Sequence, residues 1–148
     1  MKKLMMLLLL VSSAIYAATP IEIVQLAELV AKTTPEVNAP QQRIVLSPKL
    51  IRFQASLMDG PKAQKADYLN EALAMMRVKP QPKVSQRIVL GYLDAKGAQR
   101  NLSVYIEDSA ALTAKALKIG EQREFTALHV YNYSRGPALL IMGFGAGQ

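Results

Sequence analysis

The sequence predicts an α+β fold: an N-terminal helix followed by ββα-ββα-ββ order, making a small antiparallel sheet or an OB-like barrel with flanking helices. Three observations lead there. Apolar residues recur at helical spacing in two separate stretches, and elsewhere they alternate with polar residues at period two. Clusters of Gly, Pro, Ser and Asp punctuate the junctions.

The first helix is expected from Thr19-Pro20-Ile21-Glu22, which offers a Thr cap, Pro at the first helical position and Glu to complete a capping box. Ile23, Leu26, Ala27 and Val30 then share one stripe, and the helix should stop before Pro35. A connector containing Pro40 covers residues 35–42. Two strand pieces, Arg43 to Leu46 and Lys49 to Leu57, follow around Ser47-Pro48, with Ile51, Phe53, Ala55 and Leu57 on one face. Pro48 cannot donate to a ladder, so a turn, a bulge or an edge is required there. Asp59-Gly60-Pro61 should end this unit and open a helix reaching about Arg77, whose buried stripe is Ala66, Leu69, Ala72, Leu73 and Met76. Pro80 and Pro82 make residues 79–83 a second, extended connector.

A hairpin comes next, Val84 to Leu93 and Arg100 to Glu107, with Gly97 available for positive φ in the turn. Asp108 or Ser109 should cap a short helix to Lys118, stopped by Gly120. Arg123 to Tyr133 and Ala138 to Phe144 form a last hairpin around Ser134-Arg135-Gly136-Pro137, and Gly143 to Gly147 reads as a frayed tail. Leu139, Leu140, Ile141 and Met142 are apolar on both faces, so this strand should lie centrally in the sheet.

Gln42-Arg43-Ile44-Val45-Leu46 recurs letter for letter as Gln86-Arg87-Ile88-Val89-Leu90, and a weaker Gln122-Arg123 opens the last hairpin. If the two pieces at 43–57 pair elsewhere or act as one bent strand, the count becomes five with a helix between the third and fourth. That is the order of the oligonucleotide/oligosaccharide-binding barrel, here with an extra helix after the first strand.

Residues 1–17 read as an address. Lys2 and Lys3 precede an apolar run from Leu4 to Val11 and a small-residue stretch ending at Ala17, the pattern of a secretory signal peptide. Eight strongly apolar residues fall short of the ~20 needed to cross a bilayer. A single domain, residues 18–148, is therefore expected in the periplasm, with secretion as the alternative, and no transmembrane segment after cleavage. The formal charge of +7 falls to +5 when Lys2 and Lys3 leave. With no cysteine in the chain, packing must supply the stability that disulfides give many exported proteins.

Chemistry is sparse. His129 is the only histidine, no nucleophile-elbow signature surrounds any serine, and a zinc site would want four Cys or His ligands. No cofactor motif is present; the terminal glycines have no helix after them to bind an anion. Catalysis, if any, would fall to His129. Strand alternation would put Phe125, Ala127, His129, Tyr131 and Tyr133 on one face and Leu128 and Val130 on the other. That face is either an aromatic wall of the core or a stacking platform.

The expected function is a non-catalytic accessory module that docks onto a larger envelope assembly, such as a secretion, pilus or wall-associated complex. Its candidate interaction surface is Tyr105, His129, Tyr131, Tyr133 and Arg135, since Tyr and Arg are favoured interface anchors. The alternative is an OB-like domain for an anionic glycan or related oligomer. Export disfavours nucleic acid as partner, and the sequence leaves the oligomeric state open.

Overall fold

Strands account for about half of the described residues. The computed structural model describes residues 21–34 and 43–147, which form a mixed α+β fold. Its elements are β1 (Glu22–Ile23), α1 (Leu26–Thr33), β2 (Ile44–Ala63), α2 (Asp67–Met75), β3 (Val84–Leu93), β4 (Gln99–Glu107), α3 (Asp108–Ala114), β5 (Gln122–Tyr133) and β6 (Gly136–Gly147). The strands lie in the order β1-β2-β3-β4-β6-β5, and β5 hydrogen-bonds back to β2. The sheet is mixed and not purely antiparallel, because β1 runs parallel to β2 and β4 parallel to β6. The signal-peptide segment and the Thr19-Pro20 cap lie outside the described residues. Among the described residues, no helix is long and apolar enough to cross a membrane.

The N-terminal helix begins later than its spacing suggested. Glu22 does not complete a capping box but pairs with Ile51 in the sheet, and Val24 N–H donates to Arg52 O at 2.9 Å. Ladder pairing satisfies backbone groups that a helix start would leave orphaned. Ile23 is accordingly off the helical stripe and 79 % exposed, while Leu26 is buried.

The two expected pieces at 43–57 are one strand that continues through the predicted helix start. Residues 44–56 of β2 pair with β5, and residues 56–63 turn their hydrogen bonds to β3. Ser47-Pro48 falls in a register shift between Val45 and Lys49, and Gly60-Pro61 in another between Asp59 and Lys62. Both prolines are thus absorbed as local irregularities, which bend the strand without ending it. Pairing with β3 holds the chain extended to Ala63, so α2 starts at Asp67 and not at Pro61.

The β3–β4 hairpin follows the sequence closely, with Gly97 at φ 76° in its turn. Asp94 fixes that turn: its carboxylate accepts from Lys96 N, Ala98 N and Arg100 Nε, each at 2.9 Å. Asp108, expected to cap α3, instead accepts from Ser85 N and Oγ and ties the helix to β3. α3 ends at Ala114, short of the expected Lys118, and Gly120, at φ 83°, lies beyond it and donates its N–H to Leu57 O at 2.8 Å. β6 lies between β4 and β5, and its glycine-rich end does not fray: Phe144 pairs with Phe125, and Gly147 with Arg123.

Alternation sends side chains to opposite faces, and each face has its own core. The first contains Ile51, Phe53, Leu57, Ile88, Leu90, Val104, Ile106, Phe125, Leu139 and Ile141, closed by Leu26 of α1 and Ala110, Ala111 and Ala114 of α3. The second gathers Leu50, Leu128, Val130, Tyr131 and Leu140 beneath Leu69, Ala72 and Leu73 of α2. α2 is what covers an otherwise solvent-facing sheet surface.

Candidate functional site

β5 carries most of the residues singled out from sequence, and it does not keep one phase. Phe125 and Ala127 point into the first core, Leu128 and Val130 into the second. A register shift against β6 between His129 and Tyr131 then turns Tyr131 and Tyr133 to the second face as well. The expected single face of Phe125, Ala127, His129, Tyr131 and Tyr133 is therefore divided. An unpaired extra residue rotates everything after it relative to the pleat.

His129 stands apart from the tyrosines. It is buried, and its Nε2 lies 2.7 Å from Asn132 Oδ1, the geometry of a ring N–H donating to an amide oxygen. It pairs across the ladders with Lys49 and Leu139.

Tyr105, Tyr131, Tyr133 and Arg135 do come together. They line a cleft of about 200 Å³ with Arg43, Gln64, Arg87, Ser103 and Val104. Arg87, Ser103 and Tyr105 reach it because they alternate with the first-core residues Ile88, Val104 and Ile106 on β3 and β4. Arg87 and Tyr105 are direct cross-strand partners. Arg135 enters from the β5–β6 turn, Gln64 from the end of β2, and Arg43 from the residue before it.

Aromatic packing seats one wall. Tyr68 of α2 meets Tyr131 edge-on, with centroids 4.9 Å apart and planes at 78°, and Tyr131 packs against Tyr133 at 5.8 Å. The Arg43 guanidinium lies 4.4 Å above the Tyr68 ring, within cation–π range. Tyr131 is 3 % exposed and Tyr133 half-buried, so only the cleft side of this cluster is open to a ligand.

The electrostatics are one-sided. Three arginines line the cleft and no carboxylate does. None of the three forms an ion pair among the described residues. Asp59 feels Arg87, but its carboxylate is held by Lys62 Nζ at 2.8 Å. Burial pushes the Tyr131 phenol well above the usual tyrosine range, reinforced by Tyr105 and Tyr133, while Arg43 pulls the other way. Tyr133 is raised for the same reason, with Arg135 and Arg43 opposing. Both stay neutral hydroxyls at physiological pH, able to donate to an anion. Among the described residues no group of three or more His, Asp or Glu is placed to hold a metal.

Larger hollows exist. One of about 500 Å³ lies between β1–α1 and the β3–β4 hairpin, lined by Ile23, Leu26, Phe53, Tyr92, Leu93 and Arg52 among others. Its cation is already used, since Arg52 Nε lies 3.3 Å from Glu124 Oε1. This groove and others exceed the cleft in volume; uncompensated charge and convergent hydroxyls favour the smaller cleft.

No known protein family, curated protein or solved structure matches this chain. The site therefore stands on its geometry. Sequence reasoning missed Arg43, Arg87, Gln64 and Tyr68, although a signal for two of them was in view. Arg43 and Arg87 occupy the same position in the repeated Gln-Arg-Ile-Val-Leu, and both copies deliver that arginine to one cleft. Arg123 of the weaker third echo instead bonds to Gly145 O and pairs with Glu121.

Proposed function

We propose that this protein is an exported, non-catalytic binding module with an OB-like barrel, whose cleft holds an anionic glycan or related oligomer. The observation that carries this reading is the convergence of three arginines and three tyrosines, free of acids, at one place on the sheet. That place has meaning for the fold. Apart from the two-residue β1, the strands run β2, β3, β4, then α3, then β5 and β6, with β2 paired to β5 and β4 parallel to β6. In OB barrels, ligands lie across the second and third strands and the loops joining strands one to two and four to five. Here those positions supply Arg87, Ser103 and Tyr105, then Gln64 and Arg135. α2 is the insertion in the first of those loops.

Export to the periplasm follows from the signal-peptide pattern of residues 1–17 and suits a glycan of the cell envelope. Docking onto an envelope protein would draw on the same tyrosines and Arg135. A concave cleft with Tyr131 buried fits a small charged group better than a flat protein surface. Catalysis by His129 finds less support, since that residue does not line the cleft.

Binding to a panel of anionic and neutral oligosaccharides, measured by calorimetry across a salt series, tests the reading. Anionic members should bind and weaken steeply with salt, because exposed charge pairs are screened over ~10 Å at moderate ionic strength. Arg135→Ala should lower affinity without changing the fold. Equal, salt-independent binding of neutral and anionic members would sink the idea.

A further inference from the structure

We infer that the charged group this cleft is built for is a phosphomonoester carried on a sugar. The inference rests on the binding-module reading above and narrows its ligand class. A carboxylate offers one negative charge and two oxygens, which a single guanidinium satisfies in bidentate fashion. A phosphomonoester carries about −1.5 to −2 at neutral pH and three strong acceptor oxygens. Three arginines from three separate places in the chain line the cleft, more than one carboxylate can use.

The remaining features agree. Tyr105, Tyr131 and Tyr133 add hydroxyls beside the arginines, and burial keeps the last two neutral and able to donate. No lining carboxylate repels a dianion or recruits a bridging cation. Gln64 and Ser103 have side chains of the donor-and-acceptor kind that pairs with ring hydroxyls. At about 200 Å³ the cleft is smaller than the ~300–1,000 Å³ of sites for drug-sized molecules. It therefore takes one phosphorylated unit and not a length of chain.

The experiment is calorimetric titration of the exported chain with glucose-6-phosphate, glucuronate and inorganic phosphate at about pH 5 and about pH 7.5, either side of the phosphate's second pKa of ~6. Glucose-6-phosphate should bind at least about tenfold tighter than glucuronate at the higher pH and weaken at the lower. Glucuronate, already ionised at both, corrects for any titration of the protein. Arg87→Gln and Arg135→Gln should each cost about tenfold or more, with unchanged thermal melts, whereas Lys115→Gln, outside the cleft, should change nothing.

Glucuronate binding as tightly as the sugar phosphate, with no pH dependence, would overturn the phosphoryl assignment and leave the anionic module standing. Inorganic phosphate binding as tightly as glucose-6-phosphate would overturn the sugar-borne form. If none of the three binds while an anionic oligosaccharide does, the inference fails and the module survives; if nothing anionic binds, both fall.

Discussion

The two faces of the sheet are packed on different principles. The first core is aliphatic and phenylalanine-rich, with Phe53, Phe125 and Phe144 in ring contact and two helices, α1 and α3, closing it. The second is made by the opposite side chains of the same strands, by a helix inserted between β2 and β3, and by Tyr131 and Tyr133, which a register shift on β5 turns to this face. One face holds the fold together. The other stops short of complete coverage by α2, and the candidate cleft lies where that coverage ends. A face covered by one short helix leaves polar side-chain ends at its margin, where an anion can reach them.

The comparison breaks most sharply at Phe125, which is fully buried in the first core. Phe125→Ala should cost about 3–5 kcal/mol of stability in urea denaturation, while the folded fraction keeps its ligand affinity. A proportionate loss of affinity would mean that the two faces are not independent.

Leu73→Ala, at an equally buried position of α2, should cost about 2–5 kcal/mol and also weaken binding. Its helix seats Tyr68 against Tyr131 and beneath Arg43. Unaltered affinity in this variant would detach the cleft from the second core.

The smallest effect concerns pH. A phenol held neutral by burial has a native pKa above its unfolded value of ~10, so its contribution to stability is present below that pH and lost as pH rises toward the native value. Tyr131, in the second core, is raised mainly by burial, and so, at the rim of the first, is Tyr92. Tyr131 is the more deeply enclosed of the two. Tyr131→Phe should therefore flatten the decline of the denaturation midpoint above about pH 10 more than Tyr92→Phe does. The reverse order would place the heavier burial of tyrosine on the wrong face.

Legibility follows the same division. Ile51, Phe53, Ala55 and Leu57 announce a buried face by period two, and all four are in the first core. Leu139 to Met142, apolar on both sides, announced a central strand and line both cores in turn. Asp59-Gly60-Pro61 misled because those residues usually end an element, and here pairing with β3 extends beyond them. On β5 the period was right as far as Ala127, then a register shift that no residue type advertises moved Tyr131 and Tyr133 to the second face.

Sequence alone determined the α+β class, the β3–β4 hairpin and the buried alternation of Ile51, Phe53, Ala55 and Leu57, because alternation and turn chemistry are local properties of the chain. It also supplied the signal-peptide pattern of residues 1–17 as an expectation, the lack of cysteine, and Tyr105, Tyr131, Tyr133 and Arg135, which line the cleft. Only the tertiary structure decided that 44–63 is one strand, that β5 returns to β2, and that Arg43 and Arg87 meet Arg135. Those facts depend on which strands pair and where a register slips. Pairing is a contest between distant segments, and no short window of sequence contains both contestants.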